Sequence, residues 1–465
     1  MYKNYNNIVV AAALIAAGGA LAAEPPAPPV NPRAHELLAM LIGINSTHAH
    51  GSTEAARALK AALERGGFPA EDIELILPAP DKGNLLVRLK GAGRGRPVLF
   101  LSHLDVVEAR PEDWSVPPFE LTEKDGYFYG RGTQDIKGDA AAATANLIRL
   151  HAEHYTPDRD LYFAFTSDEE AGGTLNGVEW LMAHRPDLRQ VEYVINFDAG
   201  GGDSEHGRPL LFRVQTSEKV YASYTVEATS PGGHSSLPTP DNAIYRLAHA
   251  LIRIEAAPFP IHLTDTARGY FAALATTDAA HAADMQAVAK TGDPAAAQRL
   301  SQEPQFNALV RTTCVATQLT AGHAENALPQ RAQATIQCRL IPGESAEAVQ
   351  ATLTRVVADP SLTLKVIGKV TPSPESPLNP TVFSAVRTVA GELWPGAAVA
   401  PSMDAGADDS VFTRNAGIAS YGVSGLFADL DDQRAHGRDE RMRVREFDAD
   451  VEFQYRFFKR LGRAP

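Results

Sequence analysis

Three short apolar runs in the first half of the chain each end in a histidine or in acidic residues. These runs, with the polar residues that follow them, are 98–101 before His103, 161–166 before Asp168, Glu169 and Glu170, and 193–197 before Asp198. Each run is too short for a helix and is typical of a buried parallel strand. Because open α/β sheets carry their chemistry at the carboxyl edge of the strands, we expect these side chains to lie close together.

Strand-like and helix-like patterns alternate from about residue 32 to residue 212. The segment 55–67 has helical apolar spacing and ends in glycines, and the Ala-rich segment 140–154 is a second predicted helix. This alternation predicts an α/β fold with a mostly parallel sheet and helices on both faces.

From about residue 216 the pattern changes to alternating, half-exposed strands. The order strand, helix, two strands, helix, strand predicts a compact α+β sandwich inserted into the first domain. An Ala-rich insertion at roughly 258–306 interrupts this order and is predicted to be helical. The chain returns to the first domain near Ser373.

The N-terminus carries a predicted targeting signal. Lys3 precedes the apolar run 8–23, which ends in small residues and is typical of a secretory peptide cleaved after Ala22 or Ala23. An uncleaved membrane anchor is the alternative, although the run is short and interrupted by glycine. We therefore expect export to the periplasm.

The net charge of −13 argues against a nucleic-acid partner, because phosphate binding needs a basic surface. An acidic chain suits a soluble protein that holds divalent cations, and a solvated acidic surface explains the charge equally well. Cys314 and Cys338 lie in strand-like runs, where a disulfide and two buried free thiols are both open. Neither cysteine lies near the histidine and acid clusters.

The consecutive acids Asp168, Glu169 and Glu170 form the first chemical signal, because three adjacent like charges repel one another. A divalent metal ion resolves this conflict by binding one carboxylate and leaving another free as a base. The alternative is a solvated acidic turn.

Two histidines and an isolated aspartate complete the candidate donors. Asp135 lies in a glycine-flanked turn before a predicted helix, and His436 lies in a polar loop near the C-terminus. Asp105 is placed to orient the ring of His103 from behind. The plain alternatives are a structural turn for Asp135 and a surface position for His436.

Carboxylates and imidazoles without a thiolate indicate zinc, manganese or cobalt. Five ligands that share one acid would make a two-metal site, with the ions about 3.5–4 Å apart around a water molecule.

Seven motifs in order resemble the co-catalytic di-zinc exopeptidase and amidohydrolase family. That family includes glutamate carboxypeptidase, yeast carboxypeptidase S, aminoacylase, acetylornithine deacetylase and succinyl-diaminopimelate desuccinylase. The motifs are SHLDVV, GRGTQDIKG, SDEEAGG, NFDAGGG, SPGGHSSLP, ENALPQRAQATIQCRLIPG and AHGRDE. NFDAGGG lacks the glutamate that often follows the third metal acid in the carboxypeptidase S branch, whereas the long insertion resembles that branch.

The resemblance implies a role for each metal-site residue. Asp135 would bridge both metals, with His103 and Asp198 completing one ligand set. Glu170 and His436 would complete the other set. The general base would be Glu169, which takes a proton from the attacking water and passes it to the leaving nitrogen. Asp105 would orient His103, and the Asp135–Ile136 peptide bond would be cis.

The inserted domain supplies three further residues by the same resemblance. His234 would polarise the scissile carbonyl, often in the active site of a partner subunit. Asn326 and Arg339 would hold the free carboxylate of the substrate. A turn position for His234 and an outward charge on a strand for Arg339 are the structural alternatives.

These expectations together describe a secreted two-metal hydrolase that cleaves an amide bond next to a C-terminal amino acid, in a dipeptide, a short peptide or an N-acyl amino acid. Hydrolysis of a non-peptide amide of the deacetylase or carbamoyl type is the first alternative. A non-catalytic binder of the same fold is the second, although none of the expected catalytic residues is missing. A homodimer through the inserted domain is possible by this resemblance. The predicted segments are a signal peptide at 1–23, a Pro-rich tether at 24–34, a catalytic domain at 35–215 and 373–465, and a lid or dimerisation domain at 216–372.

Overall fold

A computed structural model describes residues 28–170 and 175–464. The predicted signal peptide and the first part of the predicted tether lie outside these residues. Among the described helices, none combines the length and the apolar character that crossing a bilayer requires. The helices are α1 Pro32–Ile42, α2 Thr53–Arg65, α3 Lys137–Ala152, α4 Gly177–His184, α5 Ala243–Ala256, α6 Asp265–Leu274, α7 Ala282–Thr291, α8 Pro294–Leu300, α9 Pro304–Val310, α10 Ala346–Val357, α11 Pro380–Leu393, α12 Ser410–Asn415 and α13 Val444–Leu461.

The strands of the described residues form one large sheet and three smaller ones. They are β1 Ile73–Ile76, β2 Asn84–Leu89, β3 Val98–His103, β4 Thr122–Lys124, β5 Tyr127–Tyr129, β6 Leu161–Thr166, β7 Val194–Asn196, β8 Gly201–Glu205, β9 Arg208–Glu218, β10 Val220–Thr229, β11 Gly233–His234, β12 Thr313–Ala321, β13 Ala327–Leu328, β14 Arg331–Leu340, β15 Thr363–Ile367, β16 Ala398–Asp404, β17 Ser420–Gly422, β18 Phe427–Asp429 and β19 Arg441–Arg443.

The described chain divides into two compact units. Unit 1 comprises residues 28–214, 379–400 and 408–464, and unit 2 comprises 215–378 and 401–407. Segment 401–407 thus groups with unit 2, although it lies in the stretch that the sequence assigns to the second part of the first domain.

Unit 1 is built on the large sheet, whose order is β1-β2-β6-β3-β7-β17-β9-β8-β18, with β16 paired to β9. Its centre is parallel, since β3 pairs in parallel with β6 and β7, and β17 pairs in parallel with β7. The predicted α/β class with a largely parallel sheet is confirmed.

The edge formed by β1 and β2 departs from parallel order. β1 pairs antiparallel with β2, and β2 pairs antiparallel with β6. The seven residues 77–83 between β1 and β2 are too few for the crossover that a parallel pair needs, so the two strands form a hairpin. This antiparallel edge is compatible with the predicted mostly parallel sheet.

Alternate residues of the central strands face two separate hydrophobic layers. On β3, Val98 and Phe100 pack with α1, α2, α3, α11 and α13, whereas Leu99 and Leu101 pack with α4 and α12. Strands that are apolar on both faces are buried between helices, as the continuous apolar runs of the sequence predict.

Unit 2 contains the antiparallel sheet β12-β14-β10-β15. One face of this sheet forms a core with α5 and α10, and helices α6 to α9 form a separate hydrophobic cluster. The insertion is therefore helical, as predicted. Cys314 and Cys338 are directly opposite each other on β12 and β14 and form a disulfide, which decides between the two alternatives.

Candidate metal centre

Three neighbouring strand ends of unit 1 bring the predicted donors together. His103 is the last residue of β3 and pairs in register with Thr166, the last residue of β6. Leu101 pairs with Asn196, the last residue of β7. The segments that follow β6 and β7, which carry the acids, therefore start at the same edge of the sheet.

Asp135 reaches this edge from the turn that precedes α3. Gly132 in this turn has φ +95°, and a Cβ there would lie 2.9 Å from the Lys137 side chain and 3.1 Å from that of Val106. Only glycine fits this conformation and this space without strain. The Asp135–Ile136 peptide bond is cis, as the resemblance implies.

His436 reaches the edge from the loop between β18 and β19. Its backbone has φ +63°, and its side chain is about half exposed. A left-handed conformation for a non-glycine residue is uncommon, and the surrounding loop must hold it in place.

The two oxygens of Asp135 face the two imidazoles. Oδ1 lies 3.0 Å from His103 Nε2, and Oδ2 lies 3.0 Å from His436 Nε2. The same nitrogen of His103 lies 3.4 Å from Asp198 Oδ1, and that of His436 lies 2.9 Å from Glu170 Oε1. Asp135 therefore lies between two pairs of donors, His103 with Asp198 on one side and His436 with Glu170 on the other.

Three overlapping groups of side chains in the described residues could each hold a metal ion. In each group one donor atom per residue lies within 4.8 Å of the others. The groups are His103, Asp135 and Asp198; His103, Glu169 and Glu170; and Asp135, Glu170 and His436. The structure thus brings together all five predicted ligands and the predicted base.

The hydrogen bonding of His103 tests whether a cation fits. Its Nδ1 lies 2.9 Å from the backbone carbonyl oxygen of Asp105, which can only accept, so Nδ1 carries a proton. In the neutral ring, Nε2 would then direct a lone pair at the carboxylates of Asp135 and Asp198. A positive charge must offset this repulsion, and imidazole nitrogens with carboxylate oxygens suit zinc, manganese or cobalt. The residues therefore fit a divalent metal ion.

Burial and charge act against each other on these groups. Burial alone would lower the pKa of His103, but the charge of Asp198 and hydrogen bonding with Asp135 raise it well above its usual value. Burial raises the pKa of Asp198 to about 8. Hydrogen bonding with Asp135 and Glu170 raises the pKa of His436 to about 10. Burial also acts to raise the pKa of Asp135, but hydrogen bonding with both histidines lowers it.

The predicted base Glu169 is held through its backbone. The two carboxylate oxygens of Asp105 accept hydrogen bonds from the amides of Glu169, at 3.2 Å, and Glu170, at 3.0 Å. Burial, then the charge of Asp198, raises the pKa of Glu169 well above its usual value. Asp105 thus holds His103 with its main chain, while its carboxylate holds the two glutamates.

Further polar residues that the sequence prediction missed support the site. Asp408 accepts a 2.8 Å hydrogen bond from the side-chain amide of Asn196, whose oxygen accepts the amide N–H of Asp198 at 3.1 Å. Asp409 accepts a 2.6 Å hydrogen bond from Asn176. The sequence feature that could have indicated this support is Asn196, a polar amide within an otherwise apolar predicted strand.

In unit 2, the structure places His234 and Asn326 side by side. His234 pairs with Ala327 between β11 and β13, and Asn326 immediately precedes this pair. The ring Nδ1 of His234 accepts the amide N–H of Ser236 at 3.2 Å. The neutral ring therefore carries its proton on Nε2, from which it can donate a hydrogen bond.

Arg339 lies near the C-terminal end of β14, whereas His234 and Asn326 lie near the N-terminal end of this strand. The C-terminal end is on the order of 25 Å from Arg331, which begins the strand near His234. The guanidinium lies 5.0 Å from the centre of the Tyr221 ring and donates a 2.6 Å hydrogen bond to the carbonyl of Ala405. Within the described residues no carboxylate forms an ion pair with it.

A parallel α/β sheet whose edge gathers two histidines, a shared aspartate and further carboxylates defines a metal-dependent hydrolase. The sequence model of Peptidase family M20/M25/M40 matches residues 99–460, and the chain belongs to this family. The predicted family, the prediction of a metallopeptidase-type enzyme and the peptidase or amidohydrolase class are confirmed.

Individual relatives agree with this assignment. The chain is 29% identical over 367 residues to the human protein named N-fatty-acyl-amino acid synthase/hydrolase PM20D1, covering 77% of this chain and 72% of the relative. It is 28% identical to probable carboxypeptidase S-like 2 of Dictyostelium discoideum, covering 78% and 71%. The fold is similar to that of an M20 family metallo-carboxypeptidase, Sso-CP2, from Sulfolobus solfataricus, with a TM-score of 0.62, 17% identity and coverage of 93% and 100%.

Proposed function

We propose that the protein is a two-metal hydrolase that cleaves the amide bond next to a C-terminal amino acid. The observation that carries this proposal is the position of Asp135, whose two oxygens each lie 3.0 Å from a different histidine. His103 and Asp198 complete the ligand set on one side of Asp135. Glu170 and His436 complete the set on the other side.

The catalytic roles follow from the groups that surround this centre. Divalent ions held by His103, Asp135, Glu170, Asp198 and His436 would supply Lewis acidity, which would polarise the scissile carbonyl and make a water molecule more acidic. Glu169 accepts a proton from the attacking water and delivers it to the leaving nitrogen. Asp105 fixes the backbone from which Glu169 acts, because its carboxylate accepts the amides of Glu169 and Glu170.

Arg339 supports a substrate with a free carboxylate. A guanidinium without a carboxylate partner in the described chain can bind a carboxylate through two parallel hydrogen bonds. One relative is named for N-fatty-acyl amino acids and another as a carboxypeptidase-like protein. A C-terminal amino acid joined to an acyl group or to a peptide fits both names, whereas a carbamoyl or polyamine amide needs no such contact.

His234 and Asn326 act on the substrate bound to a second copy of the chain. Arg339 lies on the order of 25 Å from the end of β14 near His234, which is far longer than a dipeptide. One small substrate therefore cannot touch both ends of the strand in unit 2. A homodimer through unit 2 brings His234 from one copy to the scissile carbonyl held by the other, where Nε2 donates to the developing oxyanion.

Two further parts of the proposal concern the metal and the location of the protein. Zinc is the expected ion, with cobalt and manganese as functional substitutes, because the donors are imidazoles and carboxylates. The apolar run 8–23 supports cleavage of a signal peptide and export to the periplasm.

The experiment that tests this function starts from metal-free protein. The chelated enzyme is reloaded with zinc, cobalt or manganese and assayed on dipeptides, N-acyl amino acids and their C-terminally amidated counterparts. We expect activity only after reloading, with a preference for free carboxylates. Glu169→Gln should lower kcat by about 10²-fold or more, because the glutamine cannot accept the proton.

Glu179→Gln provides the control, since Glu179 is an exposed glutamate on α4 of the same unit. Its kcat should equal that of the parent. Undiminished activity of Glu169→Gln would contradict the assigned base, and faster hydrolysis of carbamoyl amides than of N-acyl amino acids would favour the alternative substrate class.

A further inference from the structure

Two of the proposed metal ligands are carried by loops that lie far apart in the sequence. Asp135 belongs to the turn before α3, and His436 belongs to the loop before β19. Loops are more mobile than the strands and helices that they connect. A shared metal centre needs both loops to keep a fixed spacing, because metal ligation tolerates only small changes in distance.

Glu440 binds the backbone of the first loop. Its carboxylate is fully buried, and Oε1 accepts hydrogen bonds from three main-chain amides of the Asp135 turn. These donors are the amides of Gly132 at 3.1 Å, Gln134 at 2.7 Å and Asp135 at 3.1 Å. Three donors on one oxygen fix the course of this turn and hence the position from which Asp135 reaches the two histidines.

Arg131 continues the connection to the second loop. It is 2% exposed, and its Nη1 lies 2.5 Å from the other carboxylate oxygen of Glu440. Its Nη2 donates a hydrogen bond to the backbone carbonyl of His436 at 3.3 Å. One ion pair therefore contacts the backbone of both ligand-bearing residues.

What distinguishes this ion pair is that it contacts main-chain groups of both ligand-bearing loops. A buried salt bridge is by itself weak support for stability, because the loss of hydration offsets much of the attraction. Here Glu440 accepts main-chain amides of the Asp135 turn, and Arg131 donates to the main-chain carbonyls of His436 and, at 3.5 Å, of Glu108. The specific effect of the pair is thus on where the two ligands lie.

We propose that Glu440 and Arg131 are positioning residues that fix the spacing of Asp135 and His436 for metal binding. This inference rests on the proposed ligand set. It assigns to the glutamate of the AHGRDE motif a role distinct from ligation, since Glu440 contacts the backbone of Asp135 and not its carboxylate.

Cobalt binding measures this role without relying on turnover. Metal-free parent protein and Glu440→Gln are titrated with Co²⁺, and the visible absorption of the bound ion reports stoichiometry, affinity and ligand geometry. Glutamine at position 440 keeps the size of the side chain. Its NH₂ group is a donor, however, and it must face either the Arg131 guanidinium or the main-chain amides of the loop, which are also donors. We expect affinity for at least one ion to fall about 10- to 100-fold, with a changed absorption spectrum.

The Arg159–Glu192 pair is the matched control. Arg159 is fully buried, its Nη1 pairs with Glu192, and its Nη2 donates a 3.0 Å hydrogen bond to the carbonyl of Arg463. Glu192→Gln breaks an ion pair of the same unit away from the metal ligands. It should lower the melting temperature but keep the parental cobalt affinity and spectrum.

The outcomes separate this inference from the proposed ligand set. If Glu440→Gln does not fold, Arg131→Lys is used instead. Lysine keeps the positive charge but lacks the second nitrogen that contacts the His436 carbonyl. The same loss of cobalt affinity is expected. Parental cobalt binding in the folded Glu440 or Arg131 variant, or an equal loss in Glu192→Gln, would overturn the positioning role alone. Failure of the parent to bind two ions would overturn the ligand set itself.

Discussion

Arg339 shows how a single charged side chain can be prepared for a ligand. Burial lowers the pKa of its guanidinium, which nevertheless keeps one hydrogen bond, to the Ala405 carbonyl, and lies over the Tyr221 ring. An aromatic face and a neutral carbonyl orient a guanidinium without neutralising it. Its charge therefore remains available to a substrate carboxylate.

Arg339→Ala should raise KM for substrates with a free carboxylate by about 10- to 100-fold, as expected for the loss of hydrogen bonds between charged groups. Hydrolysis of the amidated counterparts should change little. Steady-state kinetics on matched pairs of free and amidated N-acyl amino acids measures the difference. Lys365→Ala is the control. Lys365 lies on β15 opposite Thr225, so this substitution removes a cation from the same face of the sheet. Equal KM increases for free and amidated substrates would contradict the assigned role.

At the same scale, the sequence could predict the donor residues and the contact of Asp105 with His103, but not the other groups that support them. His103 and Asp198 follow apolar runs, and this position is visible in the sequence because buried strands are apolar on both faces. The contact between the Asp105 carboxylate and the amides of Glu169 and Glu170 is not visible, since it depends on how a turn folds back. Glu440 was likewise missed, because nothing local distinguishes a buried acid from an exposed one in a polar loop.

At the scale of elements, α3 and α13 share a buried polar cluster within the main core of unit 1. Asp139 on α3 and Asp450 on α13 both accept hydrogen bonds from the side-chain amide of Gln454, at 3.2 Å and 2.8 Å. Asp450 also accepts the amide N–H of Gly425 at 2.9 Å. Burial raises the pKa of Asp450 to about 7, and burial together with the charge of Asp450 raises that of Asp139 well above its usual value.

These raised values predict that stability falls as pH rises. A carboxyl group that binds its proton more tightly in the folded state stabilises the fold below its unfolded pKa of about 4 and loses this contribution as the pH rises towards 7. In the parent protein, the shift in the pKa of Asp450 should lower the free energy of unfolding by a few kcal/mol between pH 4 and 7. In Asp450→Asn this decrease should be absent, because asparagine does not titrate. Urea unfolding of metal-free protein at several pH values gives this slope.

Glu452→Gln is the control on the same helix, where Glu452 pairs with Arg149 and Arg456 at the edge of the core. It should keep the parental dependence on pH. A parental slope in Asp450→Asn would show that Asp450 is not the group that binds the proton.

The elements themselves were largely predictable, and the exceptions have physical causes. The periodic patterns of α2 and α3 and the apolar run of β3 are strong local signals. The antiparallel pairing of β1 with β2 follows from the short connecting segment 77–83. A pattern of apolar runs predicts strands but not the direction in which they pair. The disulfide between Cys314 and Cys338 depends on the register of β12 and β14, and register follows from pairing in three dimensions.

At the scale of the whole molecule, the proposed dimer makes each active site depend on two chains. A His234→Ala subunit keeps its metal ligands and Glu169, but it cannot supply the oxyanion donor to its partner. A Glu169→Gln subunit lacks the base but can still supply His234. If His234 acts across the dimer, a mixed dimer of these two subunits contains one complete site.

Co-expression of the two variants with different affinity tags tests this arrangement. Each variant alone should have little activity, whereas a random mixture should recover about a quarter of the parental activity, since half of the dimers are mixed and each has one complete site of two. His234→Ala mixed with a chain that carries both substitutions is the control, because no complete site can form. Activity of the first mixture that does not exceed the sum of its components, or a monomeric mass in light scattering, would contradict action across the dimer.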